Sequence, residues 1–215
     1  MTRTARTVSV LALAALAFAA GRTDLARPAS SLAAQPPGDE MMTPEAQARM
    51  QAMMKAATPG EHHAILNAFL GDWHADVRFR MAPGQDMTQA TGTVSRKWIL
   101  DGHFIREDVR ATSDMGEFKG MGILGYNNTD GQYEFAWYES MDTAMYFETG
   151  QYNPDTKTIT TLGSRRDPAT GRLIQTRSVV DMSNPDRHVS TGYATGPDGA
   201  EYVNFEGVFE RNGGG

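Results

Sequence analysis

The feature that most limits how this chain can fold lies just past Gly71. Trp73, Ala75, Val77, Phe79 and Met81 alternate with His74, Asp76, Arg78 and Arg80. A two-residue apolar period belongs to a strand with one face covered and one face wet. Further stretches rich in Val, Ile, Thr, Tyr, Phe and Trp follow at 93–100, 104–111, 118–126, 133–139, 145–152, 158–165, 173–182, 187–195 and 202–211. They predict roughly ten strands.

Between these stretches stand residues suited to turns. Asp101-Gly102 is a hairpin signal, and Ala82-Pro83-Gly84, Asn127-Asn128-Thr129-Asp130-Gly131 and Asn153-Pro154-Asp155 are turn sequences. The segments at 167–171, 184–186 and 196–199 are of the same kind. Such short loops pair successive strands antiparallel, and no helical pattern intervenes to build a βαβ unit. An up-and-down array of that many strands either leaves exposed edges or closes on itself, and closure removes the edges. The expectation is a closed antiparallel barrel. Gly120, Gly122, Gly150, Gly163, Gly192 and Gly207 sit inside strand patterns, where glycine marks a bend or a close approach, so the wall should be strongly coiled.

The N-terminus has a different character. Arg3 and Arg6 precede an apolar run from Val8 to Ala20, with small residues at its end. This order predicts a secretory signal peptide over residues 1–20 and hence an exported protein, periplasmic or secreted. The run is shorter than the ~20 residues of a comfortable membrane span, so no span is expected after cleavage. Residues 21–42 read as a disordered linker and 212–215 as a disordered tail. About 175 residues remain, enough for one domain with its own core. There are no cysteines, which excludes disulfides, thiolate metal sites and cysteine nucleophiles. A net charge of −6 argues against nucleic acid as a partner.

Ahead of the strands, Thr43-Pro44-Glu45 has the form of a helix start. Ala46, Met50, Met53, Met54 and Ala57 recur at spacings of three and four, predicting an amphipathic helix within 43–60 whose methionine face packs on the barrel wall. A lid over the barrel mouth and a partner-gripping surface are the competing readings. A second helix is expected over 61–69, carrying Ile65, Leu66 and Phe69 on one side.

Several strings, taken in order, resemble a mostly bacterial family known as domain of unknown function 1579. They are His63 to Trp73 (HAILNAFLGDW), Trp98 to Gly102 (WILDG), Phe118 to Gly122 (FKGMG), Gly125-Tyr126-Asn127, Trp137 to Thr143 (WYESMDT), Gly150 and Phe209-Glu210-Arg211. Together they cover about residues 61–211. His103 departs from the basic Arg or Lys common there, and Asn127 and Glu139 depart from Asp. The resemblance implies a lipocalin-like barrel and brings neither an activity nor catalytic residues.

No H-E-x-x-H or G-x-S-x-G string occurs, so no catalytic residue, metal site or cofactor is assigned. His62, His63, His74, His103 and His188 are read as surface or structural groups. A haem axial ligand at His103, facing inward at the rim, or at His188 is the weaker alternative. Glu139 and Asp142 flank a turn, where carboxylates commonly cap backbone N–H groups. The aromatic residues weigh more, since alternation turns half of them inward and about ten strands enclose more room than side chains readily fill. The candidate site is therefore an apolar cavity holding a small apolar or amphipathic ligand against aromatic side chains such as Trp98 and Trp137, with Arg106, Tyr152 and Glu139 as polar tips. The competing reading has the same rings simply filling the core. An interaction protein of the cell envelope would work through the outer surface of the barrel, and an enzyme would use polar groups inside it.

Overall fold

The computed structural model describes residues 43–213. The expected signal peptide and linker lie outside the described residues, as do the last two residues of the tail. Helix α1 (Pro44–Ala56) starts as its sequence dictates, with Pro44 in the first turn and the Thr43 hydroxyl accepting the Ala46 N–H at 3.2 Å. Helix α2 (Glu61–Ile65) runs on into a 3-10 turn at Leu66–Phe69.

The strands are β1 (Gly71–Phe79), β2 (Thr88–Ile99), β3 (Phe104–Ser113), β4 (Gly116–Asn127) and β5 (Gln132–Glu139). They continue as β6 (Tyr146–Asn153), β7 (Thr158–Arg166), β8 (Leu173–Asn184), β9 (Arg187–Thr195) and β10 (Glu201–Arg211). Each pairs antiparallel with its neighbours in sequence, and β10 returns to β1. The barrel is closed, so no backbone edge is left to recruit another chain.

Register partners share a face, which sorts the wall into inside and outside. Trp73 pairs with Val94, and Val94 with Val109. Trp98 pairs with Ile105, and Ile105 with Leu124, all on the inner face. The alternation read from β1 is thus inward for Trp73, Ala75, Val77 and Phe79.

One end of the barrel is sealed. Leu66 and Phe69, from the turn after α2, join Ile105, Tyr133, Ile159 and Met182 in a buried cluster, with Trp98, Tyr126 and Tyr152 packed against it. Burying side chains of this size stabilises by about 1.5–3 kcal/mol each. Trp73, Ala75 and Val94 form the adjoining cluster. Hydrogen bonds hold the seal in register. The Trp73 indole donates to the Phe69 carbonyl at 2.9 Å, the Trp98 indole to Asn67 at 2.9 Å, and the Tyr133 hydroxyl to the His62 carbonyl at 3.1 Å. Arg211, ending β10, donates to the carbonyls of Leu70 and Ala68 while its guanidinium lies 4.1 Å from the Trp73 ring centre.

Two expectations are corrected here. Helix α1 has no buried residue, with Met53 and Met54 each 64% exposed, so its methionine face does not pack on the wall. Its C-terminal end is held instead by Asn128, which donates to the carbonyls of Ala56 and Thr58. His103 does not face inward at a rim. Leu100, Asp101 and Gly102 all have positive φ, and this turn resets the alternation. The His103 ring lies within hydrogen-bonding distance of the Leu100 and Ala57 carbonyls, at 2.5 and 2.8 Å, and the Ala57 and Leu100 acceptors raise its pKa.

Candidate functional site: the lumen of the barrel

Away from the seal, the inward rows change in kind. Val77, Val109, Phe135, Trp137, Glu148, Thr176, Ser178 and Phe205 all face inward yet stay only half-buried. Inward residues in a filled core would be shut from solvent, as Trp73 and Ile105 are. The barrel is therefore sealed beside α2 and more open toward the other end, where Ile174 and Ala194 are the buried inward residues.

Glycine and aromatic residues pack against one another along this part of the inner wall. Gly120 and Gly122 on β4 face inward, and a Cβ on Gly120 would lie 2.4 Å from the Trp137 ring, one on Gly122 2.8 Å from the Phe135 ring. The rings lie down over the two glycines instead of standing into the lumen. Phe118, Trp137 and Phe135 form a panel, with ring centres 6.3 and 6.0 Å apart and planes within 27°. The Trp137 indole N–H donates to Glu139 at 2.8 Å, which fixes its plane. Gly150 serves a different purpose. A Cβ there would meet the Thr160 carbonyl oxygen at 1.8 Å, so the strands approach more closely than any other residue permits.

Charged groups also face inward. Arg96 and Glu107 are ion-paired near the seal, with side-chain exposures of 7% and 17%, and the Arg96 guanidinium lies 5.0–5.6 Å from the Phe69, Trp73 and Phe209 rings. Glu148 on β6 accepts hydroxyl hydrogen bonds from Thr161 at 2.6 Å and Thr176 at 2.8 Å. At the open end, Asp142 accepts the backbone N–H groups of Thr143 and Ala144 and the Tyr146 hydroxyl. That hydroxyl and the Ala144 N–H lower the Asp142 pKa, while burial, then Asp142, push Tyr146 up to about 12. Asp142 is thus a turn-capping carboxylate.

The sequence-derived residues separate into three places. Trp137 and Glu139 lie together in the lumen. Trp98 and Tyr152 pack against the sealing cluster. Arg106 is the correction: it pairs in register with Lys97 and Ile123, on the face opposite Ile105, and bonds Asp108 on the outer wall at 2.7 Å. Arg106 is not a polar tip of the cavity. Sequence reasoning missed Arg96, Glu107 and Glu148. The signal was present, since each shares strand parity with inward apolar residues (Val94 and Trp98, Ile105 and Val109, Tyr146 and Tyr152).

His188 is wholly buried among Trp73, Phe69 and the cations Arg96 and Arg211. Neither ring nitrogen has a hydrogen-bond partner. Burial first, then the neighbouring arginines, bring its pKa down to about 4, so at neutral pH it is an uncharged core side chain. With no exposed edge, it offers no open coordination position to a haem. Among the described residues, no cluster of three or more His, Asp or Glu is arranged to hold a metal ion, and no helix is long and apolar enough to cross a membrane.

Comparison with known proteins agrees with this architecture. Residues 58–211 match the family described as "Protein of unknown function (DUF1579)", and the chain belongs to that family. No curated protein matches it in sequence. Among solved structures it is similar to the S-type phycobiliprotein lyase CPES from Guillardia theta, with a TM-score of 0.51 and 11% identity, covering 76% of this chain and 98% of the lyase. At that identity the likeness shows the fold alone, a lipocalin-like barrel.

Proposed function

We propose that this DUF1579 protein is an exported carrier that holds a small apolar or amphipathic molecule in the lumen of its barrel. The observation that carries the reading is the half-burial of inward Phe135, Trp137 and Glu148 above a floor that is fully buried. A sealed floor with an accessible aromatic wall and a few polar groups is the usual form of a small-molecule site. The structurally similar lyase, whose name refers to phycobiliproteins, supports a ligand-handling role by analogy of fold, although one fold serves many functions. The N-terminal charge and apolar pattern supports export.

The test is native mass spectrometry of the protein purified from its own host, compared with the same sample denatured. The carrier reading expects an added mass that disappears on denaturation. If gentle conditions give only the bare chain, and a panel of apolar and amphipathic compounds leaves its mass and melting temperature unchanged, the reading fails.

A further inference from the structure

We propose that the lumen selects molecules carrying a protonated nitrogen, and that Glu148 is the group that receives it. This rests on the lumen being a ligand site and adds the chemistry of the ligand.

Three observations meet on one side of the wall. The first is the setting of Glu148. Its side chain lies along the wall across Gly163, where a Cβ would come within 2.8 Å of the Glu148 Cγ and 2.5 Å of the Phe147 carbonyl oxygen. Thr161 donates to one carboxylate oxygen and Thr176 to the other. Two neutral donors hold the group in place and leave it able to accept more, since a carboxylate has about four lone-pair sites.

The second is charge. Glu107, Glu139 and Glu148 all face inward, but only Glu107 has a cationic partner, Arg96. Among the described residues neither Glu139 nor Glu148 has a Lys, Arg or His within ion-pair distance. Arg165, the inward cation of β7, lies over the Tyr146 ring 5.8 Å from its centre. At Glu148 a positively charged ligand supplies the missing partner, and a carboxylate placed against it meets like charge.

The third is the aromatic panel beside it. Phe135 is the register partner of Glu148 across β5 and β6, and Trp137 follows on the same face. Ring faces carry negative potential and attract cations, and they also give a flat apolar body a surface to lie on. A carboxylate next to stacked rings suits an amine with an aromatic or long apolar body. It does not suit a fatty acid.

The experiment uses the purified full chain and three probes sharing one hydrocarbon body: 2-(aminomethyl)naphthalene, 2-naphthalenemethanol and 2-naphthoic acid. Affinities are measured by calorimetry at pH 7. The amine should bind about tenfold or more tighter than the alcohol, as for a charge-assisted hydrogen bond, and the acid should bind most weakly. Glu148→Gln should bring the amine-to-alcohol ratio close to one. A wild-type ratio near one, or tightest binding of the acid, overturns the proposal and leaves the lumen reading standing. So does an amine preference that survives Glu148→Gln and is lost in Glu139→Gln, which places the charge contact elsewhere. If none of the three probes binds, the ligand class is wrong, and the native-mass measurement decides separately whether the lumen holds anything. The wild-type comparison is independent of whether a variant folds.

Discussion

The two ends of the barrel are made from the same strands and the same alternation, yet they do opposite things. At the sealed end the inward positions are large: Trp73, Trp98, Ile105, Tyr126, Tyr133, Ile159 and Met182, closed by Leu66 and Phe69. Toward the open end the inward positions mix glycine, small and hydroxylic residues, as at Ala90, Gly92, Ala111, Ser113, Gly120, Gly163 and Thr176, with larger ones such as Phe79, Tyr146, Arg165 and Ile174, and the Trp137 and Phe135 rings lie over glycines. The share of large side chains at inward positions thus differs between the two ends. Buried side chains are concentrated at the sealed end, and the proposed function assigns the open end to a ligand.

The comparison can be broken first by truncating one ring at each end. Trp73→Ala should destabilise by about 3–5 kcal/mol, the range for a large core side chain replaced by alanine. Trp137→Ala should cost less than half of that, because solvent already reaches its ring. Equal losses in urea unfolding would mean that the two ends are packed alike.

Next in size is the buried pair near the floor. Arg96→Met leaves Glu107 without its cation and should cost about 3 kcal/mol or more. The double variant Arg96→Met with Glu107→Leu should recover much of that loss, because a buried pair is worth little against well-packed apolar groups. A double variant no better than the single one would assign Arg96 a packing role among Phe69, Trp73 and Phe209 instead.

His188 gives the floor a pH dependence of up to a few kcal/mol. Its folded pKa, about 4, lies below the ordinary 6.5. Between these values the unfolded chain binds a proton that the folded chain refuses. Stability should therefore fall as pH drops from 6.5 towards 4, and the His188→Phe variant should lose that part of the slope. Denaturant midpoints across this window provide the check.

Two smaller effects sharpen the open end. Ser178→Phe places a ring in the lumen and should change stability by no more than about 1 kcal/mol while abolishing ligand binding. A large loss of stability would show that the space is already filled. Deleting Pro44–Ala56 should shift stability least, within about 0.5 kcal/mol, since that helix buries no residue.

Much of this architecture was legible in the sequence because strand alternation and turn residues act locally. The lumen was legible in part. Trp137 and Glu139 lie on a strand whose parity is easily read, and the structure places both inside. An inward Arg106 runs against its own parity, since Ile105 and Val109 mark the inner face of β3 and Arg106 is out of phase with them. The inward charges Arg96, Glu107 and Glu148 are hard to read from sequence because a charged residue is expected on the wet face. The direction of α1 could not be read at all. An amphipathic pattern says which face is apolar and not what lies opposite it, and here none of its residues is buried.

The most direct test asks whether solvent enters one end of the barrel and not the other. The protein labelled with 5-fluorotryptophan gives a fluorine resonance for each of Trp73, Trp98 and Trp137, assignable by single Trp→Phe exchange. With a neutral paramagnetic relaxation agent added, the Trp137 signal should broaden strongly while that of Trp73 stays sharp. Equal protection of the two would mean a filled barrel and would contradict the account.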